Sequence, residues 1–175
     1  MIIYYTLPLA ILISLSLCYL RNSLVIISVQ GTSMLPTLKP GDRVLVWRRY
    51  LFRWLKVGQI VLVRRQQTPL TETIPENVYL DLSALPPFIK RVVGLPGDKV
   101  ITRLNDLPEF EQHRQQDFFD ERGERAWHIP EDHLFIKSDN IGLDSTVLGP
   151  LPFSELLGIV LVKLTTEQNK KYLLL

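Results

Sequence analysis

Cysteine is nearly absent from this chain: Cys18 is the only one in 175 residues. A disulfide within the chain is excluded, and so is a zinc site built on cysteines. Histidine is scarce too. His113, His128 and His133 are irregularly spaced, and no carboxylate or cysteine pattern completes a ligand set around the last two, so no metal is expected. Excess charge of one sign is also missing, with a net +2 from 20 basic and 18 acidic residues. Without a Gly-rich phosphate loop or an aromatic–basic RNA motif, that balance argues against a nucleic-acid partner, and no cofactor is expected. Hydrophobic residues at 46% against 22% charged leave enough material for a packed core, so disorder is not the default.

Charge is missing altogether at the N-terminus, where Arg21 is the first charged side chain and Lys39 the next. Crossing a bilayer core takes about 20 apolar residues. Segment 2–20 is long enough, and Pro8 need not end a helix in a membrane. Tyr4, Tyr5 and Tyr19 lie near its two ends, where amphipathic rings prefer the interface. A cleaved signal peptide would begin with basic residues and end in a small-residue site, and neither is found. A buried helix of a soluble protein is rarely this apolar on all faces. Residues 1–22 are therefore read as an N-terminal transmembrane anchor and 23–175 as one following domain.

Beyond the anchor, apolar residues come in short runs. Stretches 24–29, 43–47, 59–63, 88–93, 99–102, 133–137 and 157–164 are rich in Val, Ile and Leu and are bounded by Pro, Gly, Asn and Asp. Lys39-Pro40-Gly41-Asp42 and Leu95-Pro96-Gly97-Asp98 each place Pro before Gly, which suits a tight turn. The pattern predicts a mostly β fold, an antiparallel sandwich or barrel. Stretch 68–87 reads as a polar loop. Stretch 103–130, densely charged as far as Arg125, reads as an exposed polar excursion.

The segment from Gln30 to Asp42 holds Gly31, Ser33, Met34 and Pro36 in a loop between two predicted strands. A lone loop serine usually caps a turn. Here Gly31 permits unusual backbone angles, Pro36 directs the chain just after the serine, and free N–H groups nearby suit an oxyanion. A nucleophilic serine needs a base, and no Ser/His/Asp pattern is visible. Lysine serves only when apolar burial lowers its pKa. Lys90 lies in the predicted strand Phe88-Ile89-Lys90-Arg91-Val92-Val93, where alternation puts it on one face with Phe88 and Val92. From position alone, a buried neutral lysine and a snorkelling edge lysine fit equally well.

Four boxes then occur in order. Ser33-Met34-Leu35-Pro36-Thr37-Leu38 with Gly41-Asp42-Arg43-Val44-Leu45-Val46 is the first, and Gly58-Gln59-Ile60-Val61-Leu62-Val63 the second. The third is Lys90-Arg91-Val92-Val93-Gly94-Leu95-Pro96-Gly97-Asp98. The last combines Asp139-Asn140, Asp144-Ser145, Gly149-Pro150-Leu151-Pro152 and Gly158. Together they resemble signal peptidase I, a family of membrane-anchored Ser–Lys serine peptidases. The resemblance implies Ser33 as nucleophile and Lys90 as general base, with Gly31, Met34, Asp139, Asp144 and Ser145 supporting the oxyanion site or orienting the lysine. It implies a serine endopeptidase that removes signal peptides from exported preproteins, cutting after small residues at the bilayer surface. It also implies a single pass through the cell membrane with the domain on the outer face, against the weak charge bias of Arg21.

The last box departs from the family. Ser138 stands where glycine is usual. The gap from Asn140 to Asp144 is short and lacks a serine expected to orient the lysine, and Thr146 replaces an arginine expected to pair with Asp144. Ser145 is the substitute expected at Lys90. These departures admit two other readings: a dedicated maturation protease for one partner protein, or a catalytically impaired membrane-tethered binding protein. A stretch at 47–56, mixing Trp and Phe with Arg and Lys, suits either the lipid headgroup zone or a basic hairpin with core-facing aromatics.

Overall fold

A computed structural model describes residues 3–49, 52–64 and 87–164, with side chains from Ala10 onward. The loop expected at 68–87 lies outside the described residues apart from Pro87. The chain opens with helix α1, Ile3–Ser23, which carries Arg21 in its last turn, where a cation complements the helix dipole. From Ala10 to Asn22 every side chain is exposed, and Ile11, Leu12, Ile13, Leu15, Leu17 and Leu20 are each at least half exposed. From Ala10 to Leu20 the helix carries no charge and turns no face to a core. Among the described residues no helix is long and apolar enough to cross a membrane. The transmembrane span expected over 1–22 is therefore not found among them. Ser23 ends the helix, its hydroxyl donating to the Tyr19 carbonyl at 2.6 Å.

The strands are β1 Leu24–Ser28, β2 Arg43–Trp47, β3 Ile60–Val63, β4 Phe88–Gly94, β5 Lys99–Arg103, β6 Glu124–His128, β7 His133–Lys137, β8 Leu151–Pro152 and β9 Leu156–Leu164. Two short helices, α2 Glu109–Gln115 and α3 Ser145–Leu148, interrupt them. Seven strands form one antiparallel sheet in the order β1-β2-β9-β3-β4-β7-β8, and β5 pairs with β6 in a separate ribbon. The mostly antiparallel β fold matches expectation. The barrel does not, because the sheet stays open: β1 and β8 are its edges and are not paired with each other. Register shifts at Leu45/Val46, Leu62/Val63 and Val92/Gly94 bend the sheet without closing it.

Sheet order decides which strands are buried twice. The central strand β3 sends Val61 and Val63 into one core with Leu55, Val92, Leu134, Ile136 and Ile159. Its Leu62 enters a second core with Val29, Met34, Leu38, Val44, Val46 and Ile89. Gly158 lets β9 press against β2: a Cβ there would stand 2.5 Å from Val46 Cγ1 and 2.9 Å from the Trp47 carbonyl oxygen. The charged excursion has more structure than expected. It holds 3-10 turns at Leu104–Asp106 and Gln116–Phe118, helix α2 and strand β6, and it buries Leu107 completely. β6 escapes a reading by hydrophobicity because its sequence, Glu-Arg-Ala-Trp-His, has no run of aliphatic residues and opens on two charged, half-buried side chains.

Candidate active site

Ser33 sits on a tight turn between β1 and β2. Gly31 supplies a positive φ of 79° just before it. Two backbone bonds close the turn, Leu35 N–H to the Thr32 carbonyl at 3.1 Å and Leu38 N–H to the Met34 carbonyl at 2.8 Å. Met34 and Leu38 are both 2% exposed and pin the turn into the second core. The Ser33 carbonyl accepts from Asn140 N–H at 2.8 Å, which ties the turn to the segment after β7.

Lys90 lies in β4 and is 2% exposed. Its Nζ stands 3.0 Å from Ser33 Oγ and 2.8 Å from Ser138 Oγ, and 5.4 Å from the centre of the Phe88 ring. Phe88 and Val92 both pack in the first core, so the lysine shares the apolar face expected from alternation. Burial pushes the Lys90 ammonium below its ordinary value of 10.5, and the charges of Asp144 and Asp139 offset part of that fall. The snorkelling alternative is removed by geometry, since the amine ends in the interior. A neutral amine 3.0 Å from a hydroxyl is within reach to take its proton.

The other expected residues divide into two clusters. Asp139 grips Arg91 with both oxygens, at 2.8 Å from Nε and 2.7 Å from Nη2, and accepts from the Thr37 hydroxyl. Arg91 also donates to the Gly58 carbonyl at 2.8 Å. The Arg91 hydrogen bonds, with help from Thr37, hold the Asp139 carboxyl below its ordinary 3.8. One carboxylate thus links the Ser33 turn, β4 and the segment after β7. Asp144 is buried behind Lys90 and accepts from Ser138 N–H at 2.6 Å, Thr146 N–H at 2.9 Å and the Thr146 hydroxyl at 2.7 Å. Thr146 thereby satisfies the carboxylate that was expected to need an arginine.

Ser145 does not take the place expected of it. Its oxygen accepts from Ile136 N–H at 3.1 Å and fastens α3 to β7, while the hydroxyl beside Lys90 belongs to Ser138. Gly142 closes the site from above. A Cβ on it would stand 2.9 Å from Ser138 Oγ, 3.0 Å from Ser33 Cβ and 3.5 Å from Lys90 Nζ. Ser138, Gly142, Thr37 and Arg91 were not singled out as site residues from sequence. Only Ser138 left a trace there, as a serine in an unexpected position.

A cavity of about 460 Å³ opens beside Ser33, lined by Ile27, Val29, Gly31, Met34, Phe88 and Ile89. It runs between the end of β1 and the start of β4, and Ser33 lies on its wall.

Comparison with known proteins follows the same lines. Residues 2–165 match the family described as signal peptidase, peptidase S26. The chain is 34% identical over 137 residues to thylakoidal processing peptidase 1, chloroplastic, of Arabidopsis thaliana, covering 75% of this chain and 39% of that protein. It is 31% identical over 141 residues to a probable signal peptidase I-1 of Synechocystis, covering 77% and 68%. It is 25% identical over 144 residues to the human mitochondrial inner membrane protease subunit 1, covering 79% and 68%. The chain thus spans about two fifths of the length of the plant relative and about two thirds of the other two.

Proposed function

The chain belongs to the signal peptidase family, peptidase S26, and we propose that it is a serine endopeptidase that removes signal peptides from exported preproteins, with Ser33 as nucleophile and Lys90 as general base. The observation that carries this reading is the 3.0 Å contact between a buried lysine amine and a serine hydroxyl on the wall of a cavity.

Neutral Lys90 takes the Ser33 hydroxyl proton as Oγ bonds to the scissile carbonyl carbon. The Ser33 N–H, which makes no hydrogen bond among the described residues, faces the developing oxyanion. The Lys90 ammonium returns the proton to the leaving amine as the C–N bond breaks, and an acyl-enzyme remains. Lys90 then deprotonates a water that attacks the ester and frees Ser33. The substrate lies extended in the cavity between the 27–31 and 87–89 segments, with small side chains one and three residues before the cut.

The domain works at a membrane surface as a single-pass protein, with the catalytic side facing the compartment into which preproteins emerge. Support comes from the exposed apolar girdle of α1 and from the segment beside its end. There Trp47 stacks on Trp54 at 5.8 Å, the Arg49 guanidinium lies 5.4 Å from the Tyr19 ring, and Phe52, Trp54 and Val57 are each about half exposed. Aromatics among cations suit lipid headgroups. Flotation with anionic vesicles tests this: a chain that stays in the aqueous layer overturns it.

Activity is tested with the full chain in detergent on a labelled preprotein carrying an Ala-x-Ala site, beside Ser33→Ala and Lys90→Ala. The wild type cuts and both variants lose cleavage. Full cutting by Lys90→Ala sinks the mechanism, and an inert wild type across a broad panel sinks the general signal-peptidase reading.

A further inference from the structure

Ser138 follows β7 directly and is buried, at 7% exposed. Lys90 Nζ therefore has two hydroxyl neighbours, Ser33 at 3.0 Å and Ser138 at 2.8 Å. An amine that is to accept the Ser33 proton must aim its lone pair at that hydroxyl. A second neighbour that accepts one of its N–H groups stops it rotating. The Ser138 backbone is itself held by Asp144 at 2.6 Å, so the hydroxyl stands on a fixed platform.

Gly142 completes the arrangement. The direction in which it would grow a side chain leads to Ser138 Oγ at 2.9 Å and Ser33 Cβ at 3.0 Å, and toward Lys90 Nζ at 3.5 Å. A Cβ at 2.9 Å from an oxygen forces one of the two to move. Any side chain at 142 thus competes with the Ser138 hydroxyl for one space beside the amine. A serine at 142 has the reach to put its own hydroxyl there once the one at 138 is gone.

Resting on the peptidase reading above, we infer that Ser138 is the positioning residue that aims Lys90 at Ser33, and that Gly142 is its obligate partner, the two forming a pair in which a hydroxyl at one position requires a bare backbone at the other. Ser138 touches no substrate. Its effect falls on the chemical step and leaves substrate binding alone.

The test compares the full chain with Ser138→Ala, Gly142→Ser and the exchanged double variant Ser138→Gly/Gly142→Ser. Ser138→Ala loses about 10- to 100-fold in kcat, the scale of a slightly misplaced catalytic group, with KM little changed. Gly142→Ser alone loses activity because its side chain crowds both the Ser138 hydroxyl and the Ser33 Cβ. The exchanged variant regains a measurable part of that loss, because the Ser138 contact is relieved while the one with Ser33 Cβ remains. Ser138→Ala cutting at the wild-type kcat, or an exchanged variant no better than Gly142→Ser, overturns the inference while Ser33→Ala still reports on the peptidase reading. A second measurement needs no substrate: NMR titration of the Lys90 side chain, with Asp139 and Asp144 present in every variant. Loss of the Ser138 acceptor from the charged form lowers the Lys90 midpoint by about half to one pH unit. An unmoved midpoint in Ser138→Ala overturns the inference even if no preprotein is ever cut.

Discussion

Asp139 is the most informative place to perturb the site, because three segments meet on one carboxylate. Replacing it by Asn keeps its shape and removes the charge. Two bonds between opposite charges to Arg91, at 2.8 and 2.7 Å, become at best one bond to a neutral acceptor, and the Thr37 hydroxyl loses its stronger acceptor. The pair is mostly shielded, with the side chains of Arg91 and Asp139 30% and 13% exposed. Bonds to charged groups contribute about 1.5–3 kcal/mol each, and partial solvent screening discounts that, so Asp139→Asn is expected to cost about 2 kcal/mol. Part of the loss belongs to Arg91, and a cycle with Arg91→Met should return a coupling of about 1–2 kcal/mol. The assay is thermal unfolding of the full chain in detergent, with cleavage measured on the same samples. Cleavage should fall about 10- to 100-fold, because the link from Thr37 through residue 139 to Arg91 no longer holds the Ser33 turn firmly against β4. The pH dependence has a definite sign. The Asp139 carboxyl is lowered in the fold, chiefly by Arg91, so its contribution is whole above 3.8 and is lost as the pH falls through the folded value. Asp139→Asn should therefore flatten the acid limb of the stability curve. A coupling under about 0.5 kcal/mol, below what contacting residues normally show, or unchanged cleavage refutes the reasoning.

Lys90 predicts a slope of the same sign in a window at higher pH. Below its depressed folded pKa it is charged in both states and the fold bears the cost of burying it; between that value and 10.5 only the unfolded chain keeps the proton, so stability climbs with pH. Thermal scans across that window should show the climb in wild type and none in Lys90→Met, and the cleavage rate should rise through the same lowered pKa. Met34→Ala empties a site that is 2% exposed beneath Ser33, and should cost about 2–5 kcal/mol by denaturant unfolding; a loss under 1 kcal/mol on the same scale would mean that the turn does not lean on the core. Gly158→Ala drives a methyl against Val46 and the Trp47 carbonyl, and should lower stability by about 1–3 kcal/mol with β2 and β9 forced apart. Native-state hydrogen exchange should show that loss first in β2 and β9, and unchanged protection there would count against a close-approach role.

Local chemistry made a good part of this protein legible in advance. Runs such as Arg43–Trp47 and His133–Lys137 are strands because β-branched and aliphatic residues in short bounded stretches have few other solutions, and a Pro-Gly turn marks the start of the first. The face on which Lys90 lies followed from alternation along β4, where it shares a side with Phe88 and Val92, whereas its burial was decided only by the fold. What no local pattern contains is partnership. β9 comes from the far end of the domain and inserts between β2 and β3, and that order leaves the sheet open where a closed barrel was expected. The same long-range pairing brings Ser33, 57 residues away in sequence, and Ser138, 48 residues away, to one amine. Ser145 carries the same hydroxyl as Ser138 and lies nearer the expected motif, yet it is turned toward Ile136 by the short helix α3. Which of two serines reaches a lysine depends on backbone direction over a few ångströms, and that direction is set by packing summed over the whole sheet rather than by the residues beside either serine.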